Sequence, residues 1–400
     1  MKPVYLDNNA TTRVDPEVVA AMLPFFTEQF GNPSSIHAFG ASVGAAVKQA
    51  RGQLQALLGC AHDHEIIYTS GGTESDNTAI LSALEALPDR NEIITSKVEH
   101  PAVLSLCEHL EKVGRAKVHY IGVDALGRLD IEAYRAALSE RVALVSLMWA
   151  NNETGTIFPI EGLAELAKEH GALFHTDAVQ AVGKVPISLK DSAVDMLSIS
   201  GHKLHAPKGV GALYVKRGAR FKPLLRGGHQ ERGRRAGTEN APGVIALGKA
   251  AELALTHMME EQTRVKALRD RLEKALLARI PNCFVNGDPL DRLPNTCNIA
   301  FEYVEGEAIL LHLNRAGVAA SSGSACTSGS LEPSHVMRAM NIPFTSAHGS
   351  IRFSFSRDNV DEDVDRVIDA LPAILEKLRA LSPFWPGGQD KQTEFKPVYA

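Results

Sequence analysis

Seven short apolar runs recur between residues 65 and 215, and they constrain the fold of this 400-residue chain more than any other feature. Segments with helical periodicity lie between them, for example from Thr73 and from Pro159. Short buried strands that alternate with helices are typical of a mostly parallel sheet covered by helices on both faces. The sequence therefore predicts an α/β fold with a mostly parallel seven-stranded sheet. Its strands are EIIYT (65–69), EIITS (92–96), KVHYI (117–121), VALVSLMW (142–149), ALFHT (172–176), MLSIS (196–200) and GALYV (211–215).

A different pattern follows residue 240. A long helical stretch from Ala241 to Ile280 leads to the segments PNTCNIAFEYV and SIRFSFS, and then to a helix from Val360 to Leu381. We therefore predict a large domain of residues 15–260 and a smaller α+β domain of residues 1–14 and 261–385, joined by a long helix. Residues 386–400 have breaker residues and no periodicity, which predicts a C-terminal tail.

The charge balance restricts the partners of the chain. The net charge is −5 and the pI is near 6.3, so we expect no direct nucleic-acid binding and no attraction to an anionic membrane. No apolar run approaches the roughly 18 residues of a membrane span, and MKPVYLDNNA has no apolar signal region. We expect a cytoplasmic protein. The arginine-rich segment RGGHQERGRR (226–235) is interpreted as an anion-binding loop at a subunit interface, because nucleic-acid arms accompany basic domains.

The cysteines do not form a disulfide or metal pattern. There are five, an odd number, without a CxxC pair, which fits a reducing compartment. Cys60, His62 and His64 have ligand-like chemistry, but they occupy one short turn without a second half of a site. We therefore expect no stably bound metal.

Cys326 stands alone in the small, polar stretch SSGSACTSGS (321–330). Dense serine and glycine disfavour both helix and strand, so the stretch predicts a mobile surface loop. A thiol in such a loop suits reactive chemistry better than packing. The alternative is a buried cysteine at the end of a strand, since the apolar GVAA precedes the stretch, and from these residues alone both interpretations stay open.

Polar side chains follow two neighbouring predicted strands. Lys203 lies just beyond MLSIS, Asp177 directly follows ALFHT, and Gln180 lies one turn further on. Ligands of such sheets bind beyond the carboxyl ends of the strands, where these groups would meet. A lone loop lysine is usually only a solvated charge. Pyridoxal phosphate, however, needs this combination: a lysine for its aldehyde, a carboxylate for its ring nitrogen and a donor near its phenolic oxygen.

The segment SGGTESDN (70–77) follows the strand EIIYT and opens a helix. Glycines allow close approach of the backbone, and the free amides of a helix N-terminus attract a phosphate. His100 follows EIITSKVE and has the flat ring needed to stack on an aromatic cofactor, although a lone histidine is more often structural. A phosphate cradle and a stacking group would complete the cofactor site.

The ordered set of motifs resembles the cysteine desulfurases of the NifS/IscS group, within the class-V aminotransferase family of pyridoxal-phosphate enzymes. The resemblance runs from Leu6 to Arg357 and implies a fold-type I enzyme, with the cofactor in the large domain and the cysteine loop on the small one. Within this group, the chain resembles the nitrogen-fixation NifS branch. The motifs are LDNNATT, SGGTESDN, VEHPAVL, NNETG, HTDAVQ, SGHKLHAPKG, RRAGTEN, SSGSACTS and SIRFSFSR.

The resemblance implies roles around the ring of pyridoxal 5′-phosphate. Lys203 would hold the cofactor covalently, and His100 would stack on the ring. Asp177 would bind the pyridine nitrogen and Gln180 the phenolic oxygen. The catalytic set is then Cys326, Lys203 and His100.

The resemblance also implies groups that bind the phosphate and the substrate. The phosphate would be bound by Gly72, Thr73, Ser200 and His202. Thr238 in AGTEN would reach the phosphate of a neighbouring subunit, so a homodimer is expected. Asn152 and Arg352 would grip the substrate carboxylate or the cofactor, because a guanidinium pairs with a carboxylate through two hydrogen bonds.

The implied activity converts L-cysteine to L-alanine and places the sulfur on Cys326 as a persulfide. His100 is expected to act as acid or base in that transfer. An iron–sulfur scaffold protein is the implied acceptor, with nitrogenase maturation as the destination, and cluster iron would contact Cys326 only transiently. Sulfur delivery for tRNA thiolation through carrier proteins stays open.

Two other hypotheses remain at this stage. The chain could be a class-V aminotransferase, or a lyase acting on another amino acid, with Cys326 as a bystander. It could also be an iron–sulfur scaffold or regulator that uses Cys326 as a ligand. Activity that survives Cys326→Ala would favour the aminotransferase or lyase, and a bound cofactor lost in Lys203→Ala would argue against the scaffold or regulator.

Overall fold

The computed structural model describes residues 3–323, 333–383 and 385. The predicted loop position of Cys326 and the predicted tail 386–400 lie outside the described residues.

The described part of the chain contains twelve strands. Those in the middle of the chain are almost entirely buried, as short apolar runs require. In chain order they are β1 (Val4–Tyr5), β2 (Ile66–Thr69), β3 (Glu92–Ser96), β4 (Lys117–Ile121), β5 (Val142–Ser146), β6 (Leu173–Asp177), β7 (Met196–Ser200), β8 (Gly211–Val215), β9 (Cys283–Val285), β10 (Thr296–Phe301), β11 (Val318–Ala319) and β12 (Ser350–Ser354).

Fourteen α-helices connect these strands within the same residues. They are α1 (Pro16–Met22), α2 (Pro24–Thr27), α3 (Ala38–Leu58), α4 (Gly72–Ala86), α5 (Pro101–Lys112), α6 (Ile131–Ala137), α7 (Ile160–Glu169), α8 (Ala241–Thr256), α9 (Met258–Glu260), α10 (Lys266–Arg279), α11 (Gly306–Arg315), α12 (His335–Ala339), α13 (Phe344–His348) and α14 (Asp361–Ala380). No helix in these ranges combines the length and the apolar character that crossing a membrane requires.

The central sheet has seven strands in the order β2-β8-β7-β6-β5-β3-β4. Neighbours from β7 to β4 are parallel, whereas β8 is antiparallel to both β2 and β7. The predicted mostly parallel seven-stranded sheet is therefore confirmed, and each of the seven runs contributes one strand. The run VALVSLMW ends as a strand at Ser146, because the chain then leaves the sheet to form the wall of a cavity.

A second core lies around two smaller sheets. Strands β9, β10 and β12 form an antiparallel sheet, and β1 pairs in parallel with β11. Val4 and Leu6 are buried with the side chains of this second core. This pairing agrees with grouping residues 1–14 with the smaller domain, although the domain boundaries stay a prediction. Buried residues of α12, such as Val336 and Met337, pack into the core of the central sheet instead.

The predicted long helix from Ala241 to Ile280 is wrong in one respect, since it is divided into shorter pieces. Helix α8 starts after Asn240, whose side chain accepts a hydrogen bond from the Gly243 amide, and it ends at Thr256. His257 has φ −92° and ψ 6°, outside the helical range. A π-helical turn at Glu261–Val265 then precedes α10. Residues 257–265 contain no glycine or proline, so no breaker residue in the sequence marks these breaks.

Candidate active site

A cavity of about 290 Å³ opens at the carboxyl ends of the central strands. Of the predicted site residues that the structure describes, all except Thr238 line it. The residues that line it are Asn9, Ala10, Gly72, Thr73, Asp76, His100, Pro101, Met148, Ala150, Asn152, Glu153, Asp177, Val179, Gln180, Ser200, His202, Lys203, Gly323, His335 and Arg352. The structure thus gathers groups that are far apart in the sequence at the edge where such sheets bind ligands.

Lys203 is placed by a single 3-10 turn, Gly201–Lys203, directly after β7. Its Nζ donates to the carbonyl oxygens of Asn9 and Ala10, the latter at 2.7 Å. Burial, followed by the positive charges of Arg352 and Lys184, lowers the pKa of Lys203 to about 7. A substantial fraction of this amine is therefore neutral near pH 7, which a lysine that attacks an aldehyde requires.

Asp177 ends β6 and is buried on the cavity wall. Its Oδ1 accepts a hydrogen bond from the Val179 amide at 2.9 Å. Burial raises the pKa of Asp177, and the nearby His100 and Lys203 oppose that rise. Gln180 follows on the same turn, and its Nε2 donates to the Asn9 carbonyl at 2.9 Å, which leaves a second N–H of the amide for a ligand.

Two more carboxyl groups are buried beside Asp177. Burial, together with the charge of Asp177, raises the pKa of Asp76 well above its usual value. Burial likewise raises the pKa of Glu99 to about 8. Below Asp177 on β6, the ring nitrogens of His175 lie 2.9 Å from the hydroxyls of Ser146 and Ser198, and burial lowers the pKa of His175 to about 3. Burial therefore disfavours the charged form of each of these groups, whereas His100 and Lys203 favour the charged form of Asp177.

The N-terminus of α4 forms an anion cradle in the cavity wall. The first-turn amides at Gly72 and Thr73 lack intrahelical partners and lie beside Ser200. A Cβ on Gly72 would lie only 3.0 Å from Val179 Cγ2, so glycine keeps this wall open. His202 Nδ1 lies 3.2 Å from Thr11 Oγ1, and burial lowers the pKa of His202 to about 4. The imidazole is therefore neutral and suited to a hydrogen bond with a phosphate.

His100 caps α5, because its Nδ1 accepts a hydrogen bond from the Ala102 amide at 3.1 Å. Burial lowers the pKa of His100, so the ring is neutral at pH 7. A neutral ring that accepts at Nδ1 carries its proton on Nε2. His100 therefore offers the cavity a proton donor.

Arg352 is almost fully buried on β12. Its Nη1 donates to the carbonyl oxygens of Asn152, at 2.9 Å, and Gly323, at 3.2 Å. Its Nη2 donates to Asp7 Oδ1 at 2.7 Å, while Nε has no hydrogen-bond partner among the described residues. The guanidinium is thus held from two sides and keeps N–H groups for an anionic ligand. Asn152 contacts Arg352 through its backbone rather than its side chain.

Thr238 is exposed and does not line the cavity of its own chain. The positive charge of the arginine-rich segment before it is partly neutralised by helix α4 of the same chain, since Arg235 pairs with Glu74 and Arg226 with Glu85. The interpretation as an anion-binding loop therefore stays a prediction, and a role for Thr238 requires a second subunit.

Several cavity residues were not singled out from the sequence. Asn9, Ala10, Asp76 and Glu153 lie inside the motifs LDNNATT, SGGTESDN and NNETG, so membership of a motif at a strand end was the available signal. His335 lies outside these motifs and had no such signal. Among residues 3–323, 333–383 and 385, no group of three or more His, Cys, Asp or Glu side chains is placed to hold a metal ion.

The chemistry of these groups fits pyridoxal 5′-phosphate. The cavity combines a lysine of lowered pKa, the buried carboxyl group of Asp177 and a helix N-terminus kept open by glycine. Its volume of about 290 Å³ is close to the lower end of ordinary ligand pockets. Gly72, Thr73, Ser200 and His202 are the groups that suit the phosphate.

Comparison with known proteins agrees with this reading of the site chemistry. Residues 4–367 match the sequence profile of the family described as Aminotransferase class-V. A protein of Gluconacetobacter diazotrophicus named cysteine desulfurase is 71% identical over 400 residues, covering 100% of both chains. Cysteine desulfurase NifS of Azotobacter vinelandii is 66% identical over 402 residues, again covering 100% of both chains. A solved NifS-like protein superposes with a TM-score of 0.87 at 36% identity, covering 94% of this chain and 100% of that one.

Proposed function

The chain belongs to the class-V aminotransferase family and is a cysteine desulfurase dependent on pyridoxal 5′-phosphate, and from that premise we propose which residues hold the cofactor, bind L-cysteine and carry the sulfur. The observation that supports this assignment most strongly is the position of Lys203. It shares one cavity with Asp177, His100 and Arg352, and burial brings its pKa to about 7.

Cofactor binding is assigned to groups that line the cavity. Lys203 would hold the cofactor covalently, Asp177 would bind its ring nitrogen, Gln180 would donate to its phenolic oxygen, and His100 would stack on its ring. Gly72, Thr73, Ser200 and His202 would bind its phosphate, and Asn152 would be a further cofactor contact. When bound, the cofactor supplies an electron sink for charge that develops at the substrate Cα.

Substrate binding and proton removal are assigned to Arg352 and Lys203. Arg352 holds the carboxylate of L-cysteine through its remaining N–H groups, helped by Asn152. Asp7 and two carbonyl oxygens fix the guanidinium before the substrate arrives, so its orientation costs little entropy. Lys203 Nζ would be the group that moves the proton at the substrate Cα.

Sulfur transfer is assigned to Cys326. Its thiolate attacks the sulfur of the bound cysteine, so that an S–S bond forms while the Cβ–S bond breaks with its electron pair moving to the carbon side. Protonation of Cβ then gives alanine, and the enzyme keeps the sulfur as a persulfide. His100, which carries its proton on Nε2, acts as the acid of this step.

The sulfur acceptor and the assembly form the last part of the proposal. We propose that the chain works as a homodimer in which Thr238 reaches the cofactor phosphate of the neighbouring subunit. The acceptor is a scaffold protein for iron–sulfur clusters, with nitrogenase maturation as the destination. The support for this branch is the identity of 66% with a protein named NifS.

The test is the intact mass of the holoenzyme after brief exposure to L-cysteine without reductant, compared with Cys326→Ala. We expect one added sulfur that maps to Cys326, together with free alanine, and no added sulfur in the variant. Alanine formed without modification of Cys326 would refute the sulfur-carrier role. No alanine from wild type would favour the alternative, an aminotransferase or lyase for another amino acid, and a screen of amino acids by cofactor absorbance would identify it.

A further inference from the structure

Lys184 is a buried lysine, with 6% of its surface exposed, that does not itself line the cofactor cavity. Its Nζ donates hydrogen bonds to both oxygens of Gln180, the backbone carbonyl at 3.1 Å and Oε1 at 3.4 Å. Gln180 does line that cavity, and its Nε2 donates to the Asn9 carbonyl at 2.9 Å. The side-chain amide of Gln180 is therefore held between a donor and an acceptor.

These two contacts select one orientation of the Gln180 amide. Burial lowers the pKa of Lys184 to about 8, and the charge of Glu261 opposes that fall, so the ammonium form predominates at pH 7. An ammonium group donates hydrogen bonds and accepts none. Turning the amide by half a revolution would bring Nε2 to the Lys184 ammonium and Oε1 to the Asn9 carbonyl, so that like groups would face each other. The observed orientation instead leaves the second N–H of Nε2 for the cavity.

Lys184 is placed by the π-helical turn Glu261–Val265. Gln262 Nε2 donates to the carbonyl oxygen of Lys184. Glu261 and Lys184 line a second, smaller cavity of about 20 Å³, which Lys203 also lines. Single π-helical turns are frequent at functional sites. This break in the helix thus brings two side chains to Lys184, one on its backbone and one that favours its charge.

A lysine at this position has an energetic cost. An ammonium group loses its water on burial, so its N–H groups then need acceptors in the protein. An apolar side chain often stabilises a buried position as well as a charged group does. The lysine is therefore better explained by its hold on Gln180 than by stability alone.

We propose that Lys184 is a positioning residue that fixes the side-chain amide of Gln180, so that an N–H and not the oxygen is presented to the cofactor cavity. This inference rests on the proposed function, in which Gln180 donates to the phenolic oxygen of the cofactor. A donor at that oxygen stabilises its negative charge. Losing the donor should therefore raise the pH at which the cofactor releases its proton.

The experiment is a pH titration of the cofactor absorbance in holoenzyme variants, because that absorbance depends on the protonation of the cofactor at Lys203. We expect Lys184→Met to move the midpoint to higher pH by about 0.5–1 unit, the effect of one hydrogen bond. Gln180→Ala should move it in the same direction. Lys184→Met alters only one of the charged and titratable groups around Lys203, which are Arg352, Lys184, Asp7, Asp177, His100 and His202.

Lys216→Met is the matched control. Lys216 Nζ also donates to a backbone carbonyl, that of Ser192, but Lys216 lines neither cavity. The same substitution there should leave the midpoint unchanged. An equal shift in Lys216→Met and Lys184→Met would overturn the inference, since it would be a general effect of removing a lysine.

A double variant separates positioning from charge, because the charge of Lys184 also lowers the pKa of Lys203 directly. Positioning acts through Gln180, so Lys184→Met should cause less than about half its shift when Gln180→Ala is already present. If Lys184→Met alone does not retain cofactor, the comparison is made with Glu261→Gln in every variant, which avoids a buried carboxylate without its cation.

An unmoved midpoint in Lys184→Met would overturn the inference. So would an equal shift with and without Gln180, since the charge of Lys184 would then act on Lys203 without the amide. An unmoved midpoint in Gln180→Ala would instead refute the proposed role of Gln180, which distinguishes failure of the proposed function from failure of this inference.

Discussion

At the scale of single residues, the cavity keeps charge on a few groups and neutralises the rest by burial. Burial raises the pKa values of Asp76, Glu99 and Asp177, and at Asp177 the nearby His100 and Lys203 oppose that rise. His100 and His202 are neutral because burial lowers the pKa of each. A neutral surrounding of this kind strengthens the field of the remaining charges on a bound cofactor.

The pKa of Lys203 leads to a prediction about cofactor loading. Only the neutral amine attacks an aldehyde, so the rate at which apoenzyme bonds pyridoxal phosphate should rise with pH and level off above the pKa of about 7. An unperturbed lysine, with a pKa of about 10.4, would instead give a rate that rises about tenfold per pH unit throughout this range. The measurement is the change in cofactor absorbance after rapid mixing at a series of pH values.

The control for this prediction uses the charge of Arg352, which after burial is the second cause of the lowered pKa of Lys203. Removing the positive charge of Arg352 in Arg352→Gln should move the midpoint to higher pH, because that charge lowers the pKa of Lys203. A rate that climbs without a plateau in wild type, or a midpoint unmoved in the variant, would contradict the electrostatic account.

The residues of the site were predicted from the sequence to different extents. Lys203, Asp177 and Gln180 were found because parallel strands end at one edge, so the residues after them must meet. The carbonyl oxygens of Asn9 and Ala10 were not predicted to hold Lys203, since backbone groups leave no mark on side-chain patterns. Glu153 was missed as a contact of Gly323 and Ser334, because that contact joins residues about 170 to 180 positions apart through tertiary packing alone.

At the scale of elements, the apolar runs predict where the strands lie, and the length of the connection between two strands decides whether they can be parallel. Strand β8 is antiparallel to β7 because only residues 201–210 link them, which is too short for a helical crossover. The break near His257 is different, since the residues on both sides favour helix and only the observed backbone reveals the π turn. Strand positions were therefore predictable from apolar runs, whereas this helix break was not.

Helix packing beside the central sheet gives a prediction with a matched control. A Cβ on Gly248 in α8 would lie 2.5 Å from the Cα of Ala50 in α3, so Gly248→Ala should force the helices apart and destabilise the protein by about 1–3 kcal/mol. In α3, a Cβ on Gly52 would meet no atom within 4 Å. Gly52→Ala should therefore stabilise the protein by about 0.5–1 kcal/mol through helix propensity.

The thermal unfolding midpoints of the two holoenzyme variants provide the measurement. The variants should shift the midpoint in opposite directions, although both replace a helical glycine by alanine. A shift in the same direction would mean that the contact between α3 and α8 accommodates the extra methyl group, contrary to the close packing observed.

At the scale of the whole molecule, the surface points to a second subunit. Large apolar side chains are exposed together between residues 23 and 39, including Phe30 at 66% and Phe39 at 61%, whose ring centroids are 5.9 Å apart. Exposed apolar clusters of this kind are typical of interfaces. Thr238, also exposed, lies outside the cavity of its own chain. A single sequence does not specify the partner surface, so the dimer stays a proposal, which these exposed apolar groups support.

The dimer proposal is tested by mixing two subunits with different affinity tags, one carrying Lys203→Ala and the other Thr238→Val. If Thr238 serves the cavity of its neighbour, one cavity of the mixed dimer combines both defects, while the other has wild-type Lys203 and wild-type Thr238. The mixed dimer should then bind one cofactor covalently with wild-type affinity and form alanine at about half the wild-type rate. If Thr238 acts within its own chain or not at all, the Lys203-bearing cavity keeps the affinity of the Thr238→Val homodimer. Absorbance titration of the doubly purified mixed dimer distinguishes these outcomes, because only an exchanged Thr238 restores tight binding.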